Sequence, residues 1–172
     1  SLNETRSLLN NMKQSVFSID NEGIVIPPVS EHSKEIFGEG IEGKNIFNSL
    51  FKDMDRDDEM YSQIQFFFQV CVGEEDYQYH ALSDDSLPSK TVMTGKRGEK
   101  RSLKIGYAPI IDKDDIVQKI MLVVEDVTEL ENLEKQSKAK EEASKLKIQR
   151  LQEIVSNDKK GKPFIKLSKN IK

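Results

Sequence analysis

The sequence predicts an α+β fold, a five-stranded antiparallel sheet flanked by short helices and followed by a long C-terminal helix. Three observations predict it. Apolar residues alternate with polar ones in short runs near the start of the chain and again between residues 91 and 124. A helical stripe, Met60, Ile64, Phe67, Phe68 and Cys71, lies between those runs at i, i+4, i+7, i+8 and i+11. From Thr128 to Val155 there is neither Gly nor Pro, and Glu, Lys, Leu and Ala dominate, so a helix about 40 Å long is expected at 1.5 Å per residue.

The 172 residues suffice for one ordinary domain and an appendage. The organisation expected is an N-terminal helix over 1–14, a domain over 15–127, a signalling or coiled-coil helix over 128–156, and over 157–172 the start of a further element or a disordered tail. The leading Ser1 and the ending at Ile171-Lys172 read as those of a piece of a longer chain. With 36% hydrophobic and 33% charged residues the surface is heavily solvated. No apolar run approaches the roughly 20 residues that span a bilayer, and no basic-then-apolar leader is present, so a cytoplasmic protein without membrane insertion by this segment is expected. A single cysteine, Cys71, excludes an internal disulfide and paired-thiolate zinc. It falls on the apolar stripe between Val70 and Val72, the setting of a packed thiol.

The net charge of −4 conceals an asymmetry: residues 1–137 hold 15 Lys+Arg against 26 Asp+Glu, and residues 138–172 hold 11 against 4. The basic tail has only Phe164 for stacking and intersperses Glu among its cations, which is the pattern of a solvated helix and gives no reason to expect nucleic acid as a partner.

In chain order, Leu2, Leu8, Leu9 and Met12 suit a short amphipathic helix. Ser15 to Asp20 forms the first strand, Asn21-Glu22-Gly23 the turn, and Ile24-Val25-Ile26 the second strand of a hairpin. Pro27-Pro28 ends that strand, Ser30 is placed to N-cap a helix through Phe37, and Gly38 closes it. Gly43 to Phe51 is expected to be another short helix. The acidic run Asp55, Asp57, Asp58 and Glu59 complements the dipole of the helix that follows, and reads as that rather than as a metal site. Residues 73–92 give no clear period: Tyr77, Tyr79 and Leu82 suit a brief strand or a turn of helix, before a loop over Asp84 to Ser89. Thr91-Val92-Met93 pairs across Gly95 to Gly98 with a long strand bearing Leu103, Ile105 and Tyr107. Ile116 to Val124 is the last strand, with Ile120, Leu122 and Val124 on one face and Met121 and Val123 on the other. The exit helix is polar, and Leu130, Leu133, Ala143, Leu146, Ile148, Leu151, Ile154 and Val155 fit no single heptad, though Ile148, Leu151 and Val155 do, which implies a weak or interrupted coiled coil. A break is expected from Asn157 to Pro163, with Phe164-Ile165-Lys166-Leu167 starting another element.

The order of these elements, with several short motifs, resembles the PAS domain family. Ser18-Ile19-Asp20-Asn21-Glu22-Gly23 is similar to the opening hairpin of PAS domains, and Ile36-Phe37-Gly38 with Glu42-Gly43-Lys44-Asn45-Ile46 to their helical region. Gly98-Glu99-Lys100-Arg101 leading to Tyr107-Ala108-Pro109-Ile110 looks like their penultimate strand. Asp126-Val127-Thr128 looks like the Asp-(Ile/Val)-Thr sequence that ends many PAS domains ahead of a signalling helix. The resemblance covers about residues 6–135. The chain departs from it at Pro27-Pro28, where the family often has Asn, and in the longer segment 73–92.

The resemblance implies a sensor module of a bacterial histidine-kinase or chemotaxis-kinase-like protein, a homodimer through its N-terminal and exit helices, acting on a downstream kinase or phosphotransfer domain. The alternative is a ligand-free PAS domain for dimerisation or protein interaction. The signal junction would be Asp126, Thr128 and Glu131: Thr128 is placed to N-cap the exit helix, Glu131 to complete a capping box, and Asp126 to accept from backbone N–H groups or pair with a cation of the sheet.

A small ligand, if one binds, would sit where Phe47, Ile64, Phe67, Phe68, Ile105, Tyr107 and Leu122 converge, although the same set serves a filled core, the plainer reading. No cofactor is predicted. Cys71 lacks the Asn-Cys-Arg-like setting of a flavin photosensor, and His32 and His80 read as surface or turn residues rather than haem ligands. No catalytic or metal-binding arrangement is evident, and residues 128–172 contain no histidine to accept a phosphoryl group, so enzymatic activity is not expected of this segment.

Overall fold

The computed structural model describes residues 3, 4 and 13–165, with side chains through residue 158. The N-terminal helix expected over 1–14 therefore lies almost wholly outside the described residues. One compact unit runs to Thr128 and another begins at Glu129.

In the first unit, β1 (Ser15–Ile19) and β2 (Val25–Ile26) precede α1 (Ser33–Phe37), a 3-10 turn (Ile46–Asn48), α2 (Glu59–Cys71) and α3 (Asp76–Ser86). Then come β3 (Lys90–Thr94), β4 (Lys100–Ile111) and β5 (Val117–Asp126). The sheet order is β2-β1-β5-β4-β3, and every neighbouring pair is antiparallel. The central strand is the last in sequence, so the chain closes its sheet by inserting β5 between the two ends.

Register fixes which side chains share a face. Phe17 and Tyr107 both stand opposite Leu122, Ile19 stands opposite Ile120, and Ile105 opposite Val124. Directly opposed residues project to the same side. This face packs on Ile64, Phe67, Phe68 and Cys71 of α2, all buried, whereas Phe66, one step round the helix, is 62% exposed. The expected division of β5 holds: Ile120, Leu122 and Val124 are buried while Met121 and Val123 are only partly so.

Four local expectations change. Residues 43–51 form no regular helix; the chain makes a 3-10 turn capped by Asn45, whose Oδ1 accepts from the Phe47 N–H at 2.9 Å. Ile46, Phe47, Leu50 and Phe51 are all buried. Ser30 does not cap α1. Its hydroxyl accepts from the Val16 N–H at 2.8 Å and donates to the Gln14 carbonyl at 2.7 Å, tying the approach to α1 onto β1. Residues 76–86 form a full helix, α3, because Tyr79 packs against Phe67 with ring centroids 5.2 Å apart; tertiary contact overrides its weak periodicity. The exit helix, α4 (Thr128–Ile165), continues through the expected break at Asn157 to Pro163, with Gly161 and Pro163 close to its end.

One member of the acidic run caps α2: Asp58 Oδ1 accepts from the Met60 N–H at 2.9 Å, while Asp55 Oδ1 accepts from the Asp57 N–H, also at 2.9 Å, in the turn before the helix. No group of three or more potential metal ligands occurs among the described residues.

In the second unit, α4 carries Leu130, Leu133, Leu146, Ile148, Leu151, Ile154 and Val155 at about half exposure. Ile148, Leu151 and Val155 lie along one shallow apolar groove.

Candidate functional site

The feature that best qualifies as a functional site is the place where the sheet hands over to α4. β5 ends at Asp126 and α4 starts at Thr128, leaving Val127 alone between them. Asp126 Oδ1 accepts from the Thr128 N–H at 3.0 Å and from the Thr128 hydroxyl at 2.5 Å. The same hydroxyl accepts from the Ser102 N–H at 2.8 Å, and the Val127 N–H donates to the Ser102 carbonyl at 2.9 Å. Asp126 thus bonds both the backbone and the side chain of the first helical residue. The Thr128 hydroxyl also holds that residue to β4. Glu131 stands with Glu129 in the first turn of α4, where negative charge complements the helix dipole.

A cation completes the junction. Arg101 Nη1 donates to the carbonyls of Glu35 and Ile36 at 2.9 and 3.2 Å and lies 3.5 Å from Asp126 Oδ2. Its Nη2 is 3.7 Å from Glu99 Oε2. The Glu99 carboxyl is held below its ordinary range, first by the backbone N–H groups of Glu99 itself and of Arg97, then by the charges of Arg101 and Arg97. One guanidinium therefore joins the end of α1, the start of β4 and the end of β5. The sequence pointed to a cation for Asp126 but not to which one, and it gave no hint of Ser102; both face the junction only through the β4–β5 register, in which Leu103 stands opposite Asp126.

The seven residues considered for a ligand pocket do come together, and most of them fill space. Phe47, Ile64, Phe67, Phe68 and Leu122 belong to the buried cluster. Phe68 lies 6.3 Å from the Phe47 ring and 6.1 Å from that of Phe67, centroid to centroid. Ile105 and Tyr107 also reach a separate cleft of ≈ 530 Å³ between α3 and β4, with Tyr79, His80, Ser83 and Leu87 among its other walls. The Tyr107 hydroxyl donates to the Pro88 carbonyl at 2.8 Å, and burial pushes its phenol strongly upward. α3, which sequence periodicity left undecided, creates this cleft. His80 is on its rim, 63% exposed and 3.7 Å from Asp76; His32 lies 3.3 Å from Glu35.

Cys71 is fully buried, and burial raises its thiol from 9.0 to about 11. Tyr79 rises from 10.0 to about 12, through burial and then proximity to Cys71. Both groups are neutral in the folded state over a wider range than in the unfolded chain, so their contribution is complete below pH 9 and is lost as pH climbs through about 11 and 12. Urea midpoints measured from pH 8 upward should fall from about pH 9, and Cys71→Val should delay the fall by about one pH unit. An unchanged onset in that variant would remove Cys71 from the alkaline transition.

No protein-family model and no curated protein sequence matches the chain. Solved structures do match it in fold. The PAS domain of a protein from Colwellia psychrerythraea superposes with a TM-score of 0.52 at 13% identity, over 74% of this chain and 98% of that one. An RNA-binding Light-Oxygen-Voltage receptor gives 0.54 at 11% identity, over 83% of this chain and 38% of that one. The LOV protein of Rhodobacter sphaeroides gives 0.50 at 12% identity, over 73% and 65%.

Proposed function

This chain has the PAS fold, and from that premise we propose that it is a sensory or regulatory module of a bacterial signal-transduction protein of the histidine-kinase kind, relaying ligand or partner binding to an output domain through α4. The junction carries this reading. The residue that ends the sheet, Asp126, also bonds the first residue of the helix, Thr128, and Ser102 and Arg101 tie the pair to β4. A ligand or partner that prefers one arrangement of β4 and β5 would change the bonds from which α4 begins, and its effect would equal its difference in affinity for the two arrangements.

Homodimerisation belongs to the same proposal, supported by the half-exposed apolar residues Ile148, Leu151 and Val155 on one groove of α4. Kinase or phosphotransfer chemistry is assigned to a domain outside these residues, and no catalytic role is assigned within them. A cytoplasmic location is part of the reading; no helix among the described residues is long and apolar enough to cross a membrane.

A second reading, a ligand-free PAS domain that holds its parent protein in a dimer, is favoured by the filled interior around Phe47, Phe67 and Phe68. The α3–β4 cleft is where the ligand version has room. Native mass spectrometry and melting curves across a metabolite panel separate the two. A bound molecule, or a ligand that raises the melting temperature and slows amide exchange at Val127 and Thr128, supports the relay. A panel without effect, on a chain that sediments as a dimer, supports the second reading, and a monomer at all concentrations removes both dimeric versions.

A further inference from the structure

The β3–β4 hairpin, the end of α1 and Lys52 enclose a cavity of ≈ 350 Å³ whose charge is opposite to that of its surroundings. Lys52, Lys96, Arg97 and Arg101 line it, with Glu99 as the one acid among the lining residues. Residues 1–137 hold 26 acids and only 15 bases, so four of those bases at one cavity is a local reversal of sign.

Three of the four, Lys52, Lys96 and Arg97, have no carboxylate within 4.0 Å among the described residues. The acids that are close already have partners. Glu39 is bonded to Lys44 at 2.7 Å, and that bond is the main reason its carboxyl is held below its ordinary range. Asp53 accepts from the Thr94 N–H at 2.6 Å, and Glu99 folds back over the hairpin to accept from the Arg97 N–H at 2.9 Å.

Two of the cations are held in place by backbone. A β-carbon on Gly38, which has φ 76°, would come within 2.7 Å of Lys96 Cε and 3.2 Å of its Cδ, so the aliphatic stem of Lys96 rests on the glycine that closes α1. Arg101 is fixed by the carbonyls of Glu35 and Ile36. Its carboxylate neighbours, at 3.5 and 3.7 Å, lie beyond the roughly 2.7–2.9 Å of a full charge-assisted hydrogen bond.

We propose that this cavity binds a small anion bearing two or more negative charges, of the phosphate or carboxylate class, and that the bound anion competes with Asp126 for Arg101. The planar guanidinium groups supply directional donors and the lysines point charges, the combination such anions require. A cavity of ≈ 350 Å³ limits the occupant to a small molecule. Asp126 holds Arg101 through Oδ2 and Thr128 through Oδ1, so a shift of Arg101 toward the anion reaches the first residue of α4 through one carboxylate. The coupling rests on the relay reading; the binding does not.

The test is a titration of the whole chain with sodium pyrophosphate and, separately, sodium citrate at fixed ionic strength, with sodium chloride as the matched control, followed by backbone amide NMR. Saturable shifts over residues 94–101 together with a shift at Thr128 are expected. Saturation by pyrophosphate alone or by citrate alone assigns the site to the phosphate or the carboxylate class. The double variant Lys96→Ala, Arg97→Ala, both exposed hairpin residues, should weaken the apparent Kd by about tenfold and leave the unliganded melting temperature unchanged. Shifts that never saturate, that chloride reproduces, or that persist undiminished in the double variant overturn the site. Saturable shifts at the hairpin with Thr128 unmoved overturn the coupling while leaving the relay reading to its own test.

Discussion

Phe68→Ala is expected to lower the stability of the sheet-containing unit by about 3–5 kcal/mol, the range for removing a buried aromatic ring. Phe68 is fully buried and lies between Phe47 and Phe67, so its removal leaves a cavity walled by aromatic rings that cannot collapse without shifting α2. Against a total of about 5–15 kcal/mol for a typical domain, the loss is a large fraction of the whole. Urea unfolding read by near-UV circular dichroism, which reports tyrosine and phenylalanine packing rather than the polar helix α4, measures it. Phe66→Ala is the internal control: it removes the same ring two positions away on a 62% exposed site and should change stability by no more than about 0.5 kcal/mol. Equal effects at the two positions would mean that α2 presents a different face to the sheet.

The second large effect is expected at the junction. Thr128→Val keeps the shape of the side chain but removes the acceptor of the Ser102 N–H and the hydroxyl donor to Asp126. An N–H that loses its partner in a partly buried position costs about 1–3 kcal/mol. The loss is concentrated where β4 meets the start of α4, so amide exchange at Ser102 and Thr128 should accelerate by about tenfold. On the relay reading proposed above, the output coupled to α4 should lose its dependence on the stimulus. Thr128→Ser retains the hydroxyl and should restore both protection and response. A valine variant with wild-type exchange and wild-type signalling would show that the hydroxyl bonds are incidental to the relay. Exchange that accelerates while signalling persists would leave the junction as a structural feature alone.

These two positions differ in how visible they are in the chain itself. Phe68 belongs to a stripe of five residues at helical spacing, and that period names the buried face without any knowledge of what it packs against. Asp126 and Thr128 are legible as a sheet end followed by a helix start. Their division of labour is not. The sequence placed Thr128 as the cap with Glu131 behind it; the structure adds Asp126, whose Oδ1 accepts from the Thr128 N–H, and a strand 26 positions earlier that presents the Ser102 N–H to the threonine hydroxyl. Ser30 shows the same displacement: a hydroxyl well placed to cap α1 is taken by the Val16 N–H and the Gln14 carbonyl across the chain.

By itself, then, the sequence determined the α+β class, the antiparallel sheet of five strands, the buried faces of α2 and β5, and a helix leaving the sheet at Thr128. The strands, their hairpins, the buried faces and the helix start follow from the spacing of apolar residues and from turn chemistry among near neighbours, which are properties of consecutive residues, while the joining of all five strands in one antiparallel sheet is what the resemblance to PAS domains implied. Tertiary structure alone decided that residues 76–86 are helical and wall a cleft, that Phe47, Phe67 and Phe68 fill an interior, and that Arg101 reaches from the carbonyls of Glu35 and Ile36, 66 and 65 positions away, to Asp126. It also gathered Lys52, Lys96, Arg97 and Arg101 around one cavity in an acidic domain. The physical reason is common to all of them: each depends on which distant strand or helix supplies the partner, and that is fixed by sheet order and register, to which the local period of a segment is blind.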